Sequence, residues 1–321
     1  MLLFRKRDGE TQLLKQRSLI FVLACLLQAP VFSVEKQTLS LEKVTDNVWS
    51  IVGPLTNRNK ENLGNNATFG FVVTDDGVVL IDSGGTLKGA KTIHNLIKSV
   101  TKKPIRYVIN SGGQDHRWFG NDYFSRQGAK IISSEAAKKD HKARSNAQWS
   151  MLEARVGKNI IKGTKEKFAD ILFKDEYKFT LGNIKFEIYH KGQAHTPGDS
   201  FIWLPQSKVM FTGDIVYTER MLGIGEQSNS KSWLHVFNSM AAFKPKYLIP
   251  GHGAPTTLDK AIKDTGNYLS FLRNSISLFI ESGGGAHEIS RINQTRFKYL
   301  KNYESLKGRN ALKVYTELEW E

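Results

Sequence analysis

The chain has 321 residues, a formal net charge of +15 and 40% hydrophobic residues, enough apolar sequence for one large domain or two small ones. Its basic residues are scattered, and the sequence contains neither an aromatic-interleaved basic stripe nor a nucleic-acid-binding motif, so no nucleic-acid partner is expected. The charge therefore indicates either a solvated basic surface or a basic cleft that favours an acidic small molecule.

The first 33 residues have the pattern of a secretory signal peptide. Residues 1–17 are rich in lysine and arginine, and residues 18–28 form an apolar run that is too short for an ordinary membrane span. We predict cleavage after Ser33, a mature chain that starts near Val34 without a membrane span, and a periplasmic or secreted location. The alternative is an uncleaved N-terminal anchor.

The single cysteine, Cys25, lies inside this apolar segment. The preceding residues loosely resemble a lipidation motif, but the apolar run continues past the cysteine, which favours the signal peptide. Cleavage after Ser33 would leave a mature chain that has no disulfide and no thiolate to serve as metal ligand or nucleophile.

The remaining sequence predicts alternating strands and helices, typical of an α/β protein. A polar, asparagine-rich stretch at 54–67 is predicted to be a flexible loop. Strands are predicted at 48–52, 69–74, 78–81, 107–109, 131–132, 184–189, 200–204, 208–211 and 247–249. Helices are predicted at 87–100, 134–155, 233–243 and 257–281, and a charged helical extension follows residue 285.

Several predicted strands are followed by glycine-rich turns that carry residues able to bind a metal. Asp115 and His116 lie in the turn after the strand at 107–109. Later turns place His195 in Gly-Gln-Ala-His, Asp214 in Thr-Gly-Asp and His252 in Pro-Gly-His-Gly. None of these side chains is needed to form a turn, and imidazole and carboxylate groups are the usual oxygen and nitrogen ligands of zinc.

The order of these motifs over residues 45–280 resembles the metallo-β-lactamase fold superfamily. The resemblance implies a four-layer αββα sandwich of the α/β class, with the domain at 34–285 and the extension at 286–321 packed on it. Asp82, in Leu-Ile-Asp-Ser-Gly, matches the aspartate that supports the family's site. Residues 310–319 resemble the last helix of exported metallohydrolases of the quinoprotein-relay or sulfur-oxidation type.

The resemblance also implies a metal site, with one departure from the family pattern. Laid on the family motif H-x-H-x-D-H, Ser111 and Gly113 occupy two histidine positions, so the first of the family's two metal sites is incomplete. We therefore predict one ion at the second site, Zn²⁺ in preference to Fe²⁺ or Mn²⁺. The implied ligands are Asp115, His116, Asp214 and His252, with His195 retained from the first site.

The resemblance implies an exported metal-dependent hydrolase that cleaves an ester, thioester, lactone or lactam bond in a small-molecule substrate. Asp115 and His195 are the implied catalytic residues, since a histidine freed from a metal can act as general base or stabilise an oxyanion. Arg117 and Trp118 are expected at the mouth of the cleft, with the core as the alternative for Trp118. The alternative function is a degenerate family member that binds a metal or ligand without turnover.

Overall fold

The computed structural model describes residues 38–321, so the predicted signal segment at 1–33 and the predicted N terminus at Val34 lie outside the described residues. The described chain has two sheets. The strands of the first, in sheet order, are β1 (Ser40–Lys43), β2 (Val48–Val52), β3 (Phe69–Thr74), β4 (Gly77–Ile81), β5 (Ile105–Ile109), β6 (Lys130–Ser134) and β7 (Ile171–Phe173). The strands of the second are β12 (Tyr247–Ile249), β11 (Val209–Phe211), β10 (Phe201–Leu204), β9 (Ile184–Tyr189) and β8 (Glu176–Leu181).

Helices cover both outer faces of the two sheets. They are α1 (Leu87–Val100), α2 (Asp115–Trp118), α3 (Asn121–Ser125), α4 (Glu135–Val156), α5 (Lys158–Ile161), α6 (Ser230–Ala241), α7 (Leu258–Ala261), α8 (Asn267–Glu281) and α9 (Tyr303–Leu318). Within residues 38–321, no helix combines the length and the apolar character that crossing a membrane requires.

Buried apolar side chains fill three layers between these elements. Val79 of β4 and Phe211 of β11 belong to the layer between the sheets. Ile93 of α1 belongs to the layer outside the first sheet, and Trp233 of α6 and Val314 of α9 to the layer outside the second. This order of helices, sheet, sheet and helices confirms the predicted four-layer αββα sandwich of the α/β class.

The topology brings the ends of several strands to one edge. Strands β4, β5, β6 and β7 are parallel, and β9, β11 and β12 run in a common direction because β10 is antiparallel to β9 and β11. The segments that follow β4, β5, β9, β11 and β12 carry Asp82, His116, His195, Asp214 and His252.

The helix predicted at 257–281 is interrupted by a π-helical turn, Ile262–Gly266. This turn directs two side chains inward, where Thr265 Oγ1 accepts from the Tyr217 amide at 3.0 Å and Asp264 Oδ2 accepts from the Glu219 amide at 3.0 Å. A regular helix would present one residue fewer to this backbone, which explains the bulge. The hydrophobic periodicity of the sequence does not predict the π-helical turn, because the turn depends on contacts with a distant segment.

The stretch at 54–67 was expected to be a flexible loop, but much of it is packed. Asn65 is 1% exposed, and its Oδ1 accepts from the amide of Gly85 at 2.9 Å. Asn62 and Asn59 exchange side-chain to backbone hydrogen bonds of 2.9 and 3.0 Å. The asparagines thus satisfy buried backbone groups, and the packed loop carries Arg58 and Asn66 to the edge where the strands end.

The C-terminal segment contributes to the second sheet's helical layer. Ala311 and Val314 of α9 are buried in the same cluster as residues of α6 and α8. Asn310 is fully buried, and its side chain bonds the Leu222 carbonyl at 2.8 Å and the Ile224 amide at 2.8 Å. Helix α9 is therefore fixed against the segment that follows β11.

Candidate metal centre

Three of the five predicted ligands meet at the strand edge. One ligand atom from each of His116, Asp214 and His252 can be chosen so that all lie within 4.8 Å of one another, and all three residues are buried. His116 Nε2 lies 3.4 Å from Asp214 Oδ2, and His252 Nε2 lies 3.3 Å from Asp214 Oδ1. Asp115 and His195 lie outside this group.

The hydrogen bonds of His252 define which of its nitrogens faces Asp214. Nδ1 lies 3.0 Å from the carbonyl oxygen of Asn66, which can only accept, so Nδ1 carries the proton. Burial holds the pKa of His252 well below its ordinary value, although Asp214 opposes the shift. The neutral ring therefore directs the Nε2 lone pair at a carboxylate oxygen, an arrangement that a shared cation would stabilise.

The dimensions of the cluster suit a small divalent cation. Ligand atoms about 2.0–2.1 Å from a tetrahedral zinc lie roughly 3.3 Å from one another. The two histidine–aspartate separations have this size, 3.4 Å from His116 Nε2 to Asp214 Oδ2 and 3.3 Å from His252 Nε2 to Asp214 Oδ1, so each histidine faces a different oxygen of the carboxylate. In addition, His116 Nε2 is buried without a hydrogen-bond partner among the described residues. The donor set of two imidazoles and one carboxylate therefore fits zinc, and it also accepts Fe²⁺ or Mn²⁺.

Arg58 reaches this cluster from the packed loop. Its NH1 lies 2.9 Å from Asp115 Oδ1 and 2.8 Å from His116 Nδ1. A guanidinium only donates, so in this arrangement His116 Nδ1 accepts and Nε2 holds the ring proton. Asp115 Oδ1 is 3.3 Å from the same Nδ1 and is the alternative acceptor once Nε2 binds a cation. Asp115 thus lies where it can orient His116.

Arg117 supports the cluster from beneath and is fully buried, so it does not line the mouth of the cleft. All five of its N–H groups have acceptors. NH2 donates to Asp214 Oδ1 at 2.7 Å, NH1 donates to Asp82 Oδ2 at 2.8 Å, and Nε donates to Asp214 Oδ2 at 3.3 Å. The other two donate to the Thr68 and Gly251 carbonyls, each at 3.0 Å. Trp118 is also fully buried, in the apolar core of α2, α4 and α5.

The electrostatics of Asp214 follow from this arrangement. Burial alone would raise its pKa, but Arg117, His116 and His252 outweigh burial and hold the pKa well below its ordinary value. Burial likewise opposes the charge on Arg117, whereas Asp214 and Asp82 raise its pKa above the ordinary value. Asp214 is therefore ionised near pH 7.

His195 is bonded on both ring nitrogens within the protein. Nδ1 donates to the Gly223 carbonyl at 3.0 Å, so Nε2 accepts from the Gln114 side-chain amide at 2.9 Å. Burial is the main reason that its pKa falls to about 4, and Asp214 opposes the shift. His195 is therefore neutral near pH 7, and Gln114 occupies the lone pair through which it would bind a metal.

Ser111 and Gly113, the residues matched to the two missing histidines, do not face the His–Asp–His cluster. Ser111 donates from N and from Oγ to Asp82, each at 2.7 Å, and a side chain at Gly113 would overlap the carboxylate of Asp140. Sliding the family motif by one residue fits the observed contacts better. Its four ligand positions then fall on Gly112, Gln114, His116 and Arg117.

Helix α4 holds this loop in place. His141 Nε2 donates to the Gly112 carbonyl at 3.0 Å, and Gln148 Nε2 donates to the Gly113 carbonyl at 2.7 Å. Arg144 reaches the Gly113 carbonyl at 3.2 Å while paired with Asp140. Three side chains of one helix therefore fix the backbone on which Gln114 and His116 are mounted.

Burial of neutral His141 predicts a loss of stability in acid. Burial lowers its pKa from 6.5 to about 3, with Arg144 adding to the effect and the Gly112 bond opposing it. As the pH falls below about 6.5, only the unfolded chain takes up this proton, so folding stability declines from there toward pH 3. Chemical denaturation at pH 7.5 and 5.0 measures the decline. His141→Gln keeps a donor for Gly112 but cannot titrate, so its decline should be smaller; equal declines would contradict the assignment.

A cavity of about 450 Å³ opens in front of the cluster. His116, His195 and His252 form part of its floor, together with Gln114. Five arginines also line it, against a single acidic residue, Glu226. The arginines are Arg58, Arg144, Arg155, Arg220 and Arg309.

Two stacked sheets flanked by helices, with a buried His–Asp–His cluster at the strand ends, define the metallohydrolase class of αββα proteins. Residues 64–252 match the profile of the Metallo-beta-lactamase superfamily, more than half of the chain. The protein is 24% identical over 225 residues to the "Metallo-beta-lactamase type 2" of Elizabethkingia meningoseptica, covering 69% of this chain and 81% of that one. The chain belongs to the metallo-beta-lactamase superfamily.

Solved structures show the same fold. A metallo-beta-lactamase from Pontibacter korlensis superposes with a TM-score of 0.58 and 21% identity, covering 72% of this chain and 99% of that one. The stereoselective inverting sec-alkylsulfatase Pisa1 from Pseudomonas sp. superposes with a TM-score of 0.68 and 19% identity, covering 87% of this chain and 50% of that one.

Sequence reasoning missed Arg58 and Asn66. Both lie in the loop at 54–67, and only the folded chain brings them to His116 and His252. Gln114 was expected from the sequence to fill the space left by the absent histidines, and its side-chain amide lies 2.9 Å from His195 Nε2.

Proposed function

We propose that the protein is an exported metal-dependent hydrolase that holds a single zinc ion on His116, Asp214 and His252. Its reaction is the hydrolysis of an ester, thioester, lactone or lactam bond in an acidic small molecule. When bound, the ion supplies Lewis-acid activation of the scissile bond and of water. The protein's own residues fix the ligands and hold the substrate.

The observation that carries the proposal is the orientation of His252. The Asn66 carbonyl fixes its proton on Nδ1, and Nε2 faces an ionised Asp214 at 3.3 Å. Without a cation, two lone pairs would face each other in a buried site, which is unfavourable. Asp115, 3.3 Å from His116 Nδ1, would orient the other imidazole ligand.

A single ion is favoured because the side-chain amide of Gln114 is hydrogen-bonded to Nε2 of His195. The amide donates to the nitrogen that a second ion would need, and a side chain at Gly112 would overlap Asp199. His195, neutral with a pKa of about 4, can accept a proton from a reacting group once Gln114 moves aside. Gln114 itself offers an amide donor toward an oxyanion.

The cavity favours an acidic substrate, since five arginines line it against one glutamate. The relatives include proteins named metallo-beta-lactamase and a sec-alkylsulfatase, so lactams and alkyl sulfate esters belong in a substrate screen beside carboxylic esters, thioesters and lactones. Sulfate esters and β-lactam carboxylates are both anionic, which suits the arginines.

The alternative, a family member that binds a metal or ligand without turnover, has one observation in its favour. Arg58 donates to His116 Nδ1 and so places the ring proton on Nε2, the atom that a metal would need. If the protein is a hydrolase, the ion must bind Nε2 of His116, so the ring proton must move to Nδ1. Arg58 then loses its hydrogen bond to His116 and keeps only its ion pair with Asp115.

One set of measurements tests the proposal. We expect protein purified from the cell envelope to start near Val34 by N-terminal sequencing, to contain one equivalent of zinc by mass spectrometry, and to hydrolyse an anionic ester in the screen. Turnover should stop with a chelator and return with Zn²⁺. Two equivalents of metal would contradict the single site, and one equivalent without turnover would favour the binding protein. A full-length chain in the cytosol would end the export proposal.

A further inference from the structure

One face of α4 forms a wall of the cavity. Arg144, Gln148, Met151 and Arg155 all line it, at spacings of four, three and four residues. Such spacing places side chains on one side of a helix. Arg144 and Gln148 are engaged with the loop that carries Gln114, but Arg155, one turn beyond Met151, makes no ion pair or hydrogen bond among the described residues.

Helix α9 forms another wall, although it lies beyond the residues matched to the family. The profile ends at residue 252, whereas Leu306, Arg309 and Asn310 line the cavity. Asn310 is anchored to Leu222 and Ile224, so the position of the helix is fixed. Arg309, one residue before this anchor, is exposed and, like Arg155, has no ion-pair partner in the described part of the chain.

Arg155 and Arg309 line the same cavity, and the charge of Arg309 disfavours the charge on Arg155. Arg155 is exposed like Arg309, but its partial burial lowers its pKa, Arg58 and Arg309 lower it further, and Asp115 opposes the change. Arg58, which also lines the cavity, is paired with Asp115, but its Nε is buried without a partner among the described residues. Arg155 and Arg309 thus place like charges at one cavity without ion-pair partners among the described residues, so a bound anion would relieve their repulsion.

We propose that Arg155 and Arg309 form a recognition subsite for an oxyanion on the non-reacting end of the substrate. This inference rests on the proposed function and deepens it, because it assigns the substrate class: a hydrolysable small molecule that carries a carboxylate, sulfate or phosphate group remote from the scissile bond. A guanidinium pair binds such oxyanions through charge-assisted hydrogen bonds, and arginine suits them better than lysine. Because α9 supplies half of the subsite, the C-terminal segment determines specificity.

Anion binding at constant ionic strength tests the subsite. Inorganic sulfate, inorganic phosphate and the dicarboxylate succinate are titrated separately by calorimetry into the wild type and into Arg155→Gln/Arg309→Gln. Lys91→Gln/Lys139→Gln is the matched control, since it removes the same charge from exposed positions that do not line the cavity. We expect at least one anion to bind the double arginine variant at least ~10-fold more weakly than the wild type, and the control to stay within about 2-fold.

Equal weakening of anion binding in both double variants would show a general charge effect and would overturn the subsite. Unchanged binding in the arginine variant, or no anion binding to the wild type, would also overturn it. Repeating the titration in His252→Ala separates the two proposals. Anion binding that persists there and is still lost on replacing both arginines supports the subsite independently of the metal. Binding that disappears with His252 alone places the anion on the metal and overturns the subsite.

Discussion

Arg117→Met is expected to destabilise the folded protein by about 3–5 kcal/mol, because it leaves Asp82 and Asp214 buried without their shared cation. In the wild type Arg117 is fully buried, and its five N–H groups have five acceptors. Methionine fills the volume but donates to none of them. Chemical denaturation monitored by circular dichroism measures the difference in the free energy of unfolding.

Two further variants make this result interpretable. Arg126→Met removes an arginine paired with Asp122 on the surface, where the side chain is 57% exposed, and should cost at most about 1 kcal/mol. Arg117→Lys keeps the charge but has only three donors, so it should fold with intermediate stability if Arg117→Met does not fold. A loss below about 1 kcal/mol for Arg117→Met would show that the carboxylates find other partners.

His252→Ala and His116→Ala are each expected to abolish stoichiometric metal binding. Either change leaves two protein ligands, too few for a stable zinc site. The affinity should fall by several orders of magnitude, so that dialysed protein contains less than about a tenth of an equivalent of metal. Metal analysis of the purified variants, with circular dichroism to confirm folding, measures the effect.

Ser111→Ala is the control for this pair. Ser111 Oγ donates to Asp82 at 2.7 Å and makes no contact with the His–Asp–His cluster, so the variant should keep its metal while losing roughly 1–2 kcal/mol of stability. Metal loss from Ser111→Ala, or metal retained by both histidine variants, would contradict the proposed ligand set.

The sequence predicted the architecture well because its strands are strongly apolar and end in glycine-rich turns. Strands β9 and β12 have the bounds predicted for them, and α1 does as well. The sequence also predicted His116, Asp214 and His252 as ligands, and these three residues meet in the structure, since each follows a strand whose end is set by local pattern. Strand β8 went unassigned although its sequence, Glu-Tyr-Lys-Phe-Thr-Leu, alternates with the period of a strand that has one exposed face.

What could not be predicted depends on contacts between distant segments. Arg58 and His116 are 58 residues apart, and Asn66 and His252 are 186 apart, so no local pattern links them. The loop after β5 shows the same limit at short range. A match to the family motif fixes the identities of residues, but only the contacts of Gln114 with His195 and of Arg117 with Asp214 show which residue faces the site.

Because α4 holds the loop after β5 in place, building a second metal site there would need several simultaneous changes. A histidine at Gly112 would need the space of Asp199, and one at Gly113 the space of Asp140, which is itself paired with Arg144. Each ligand substitution alone would disrupt packing before it could capture an ion. A second metal site at this loop would therefore require coordinated changes in the loop and in helix α4, because the substitutions that add ligands are coupled to the packing of Asp199 and Asp140.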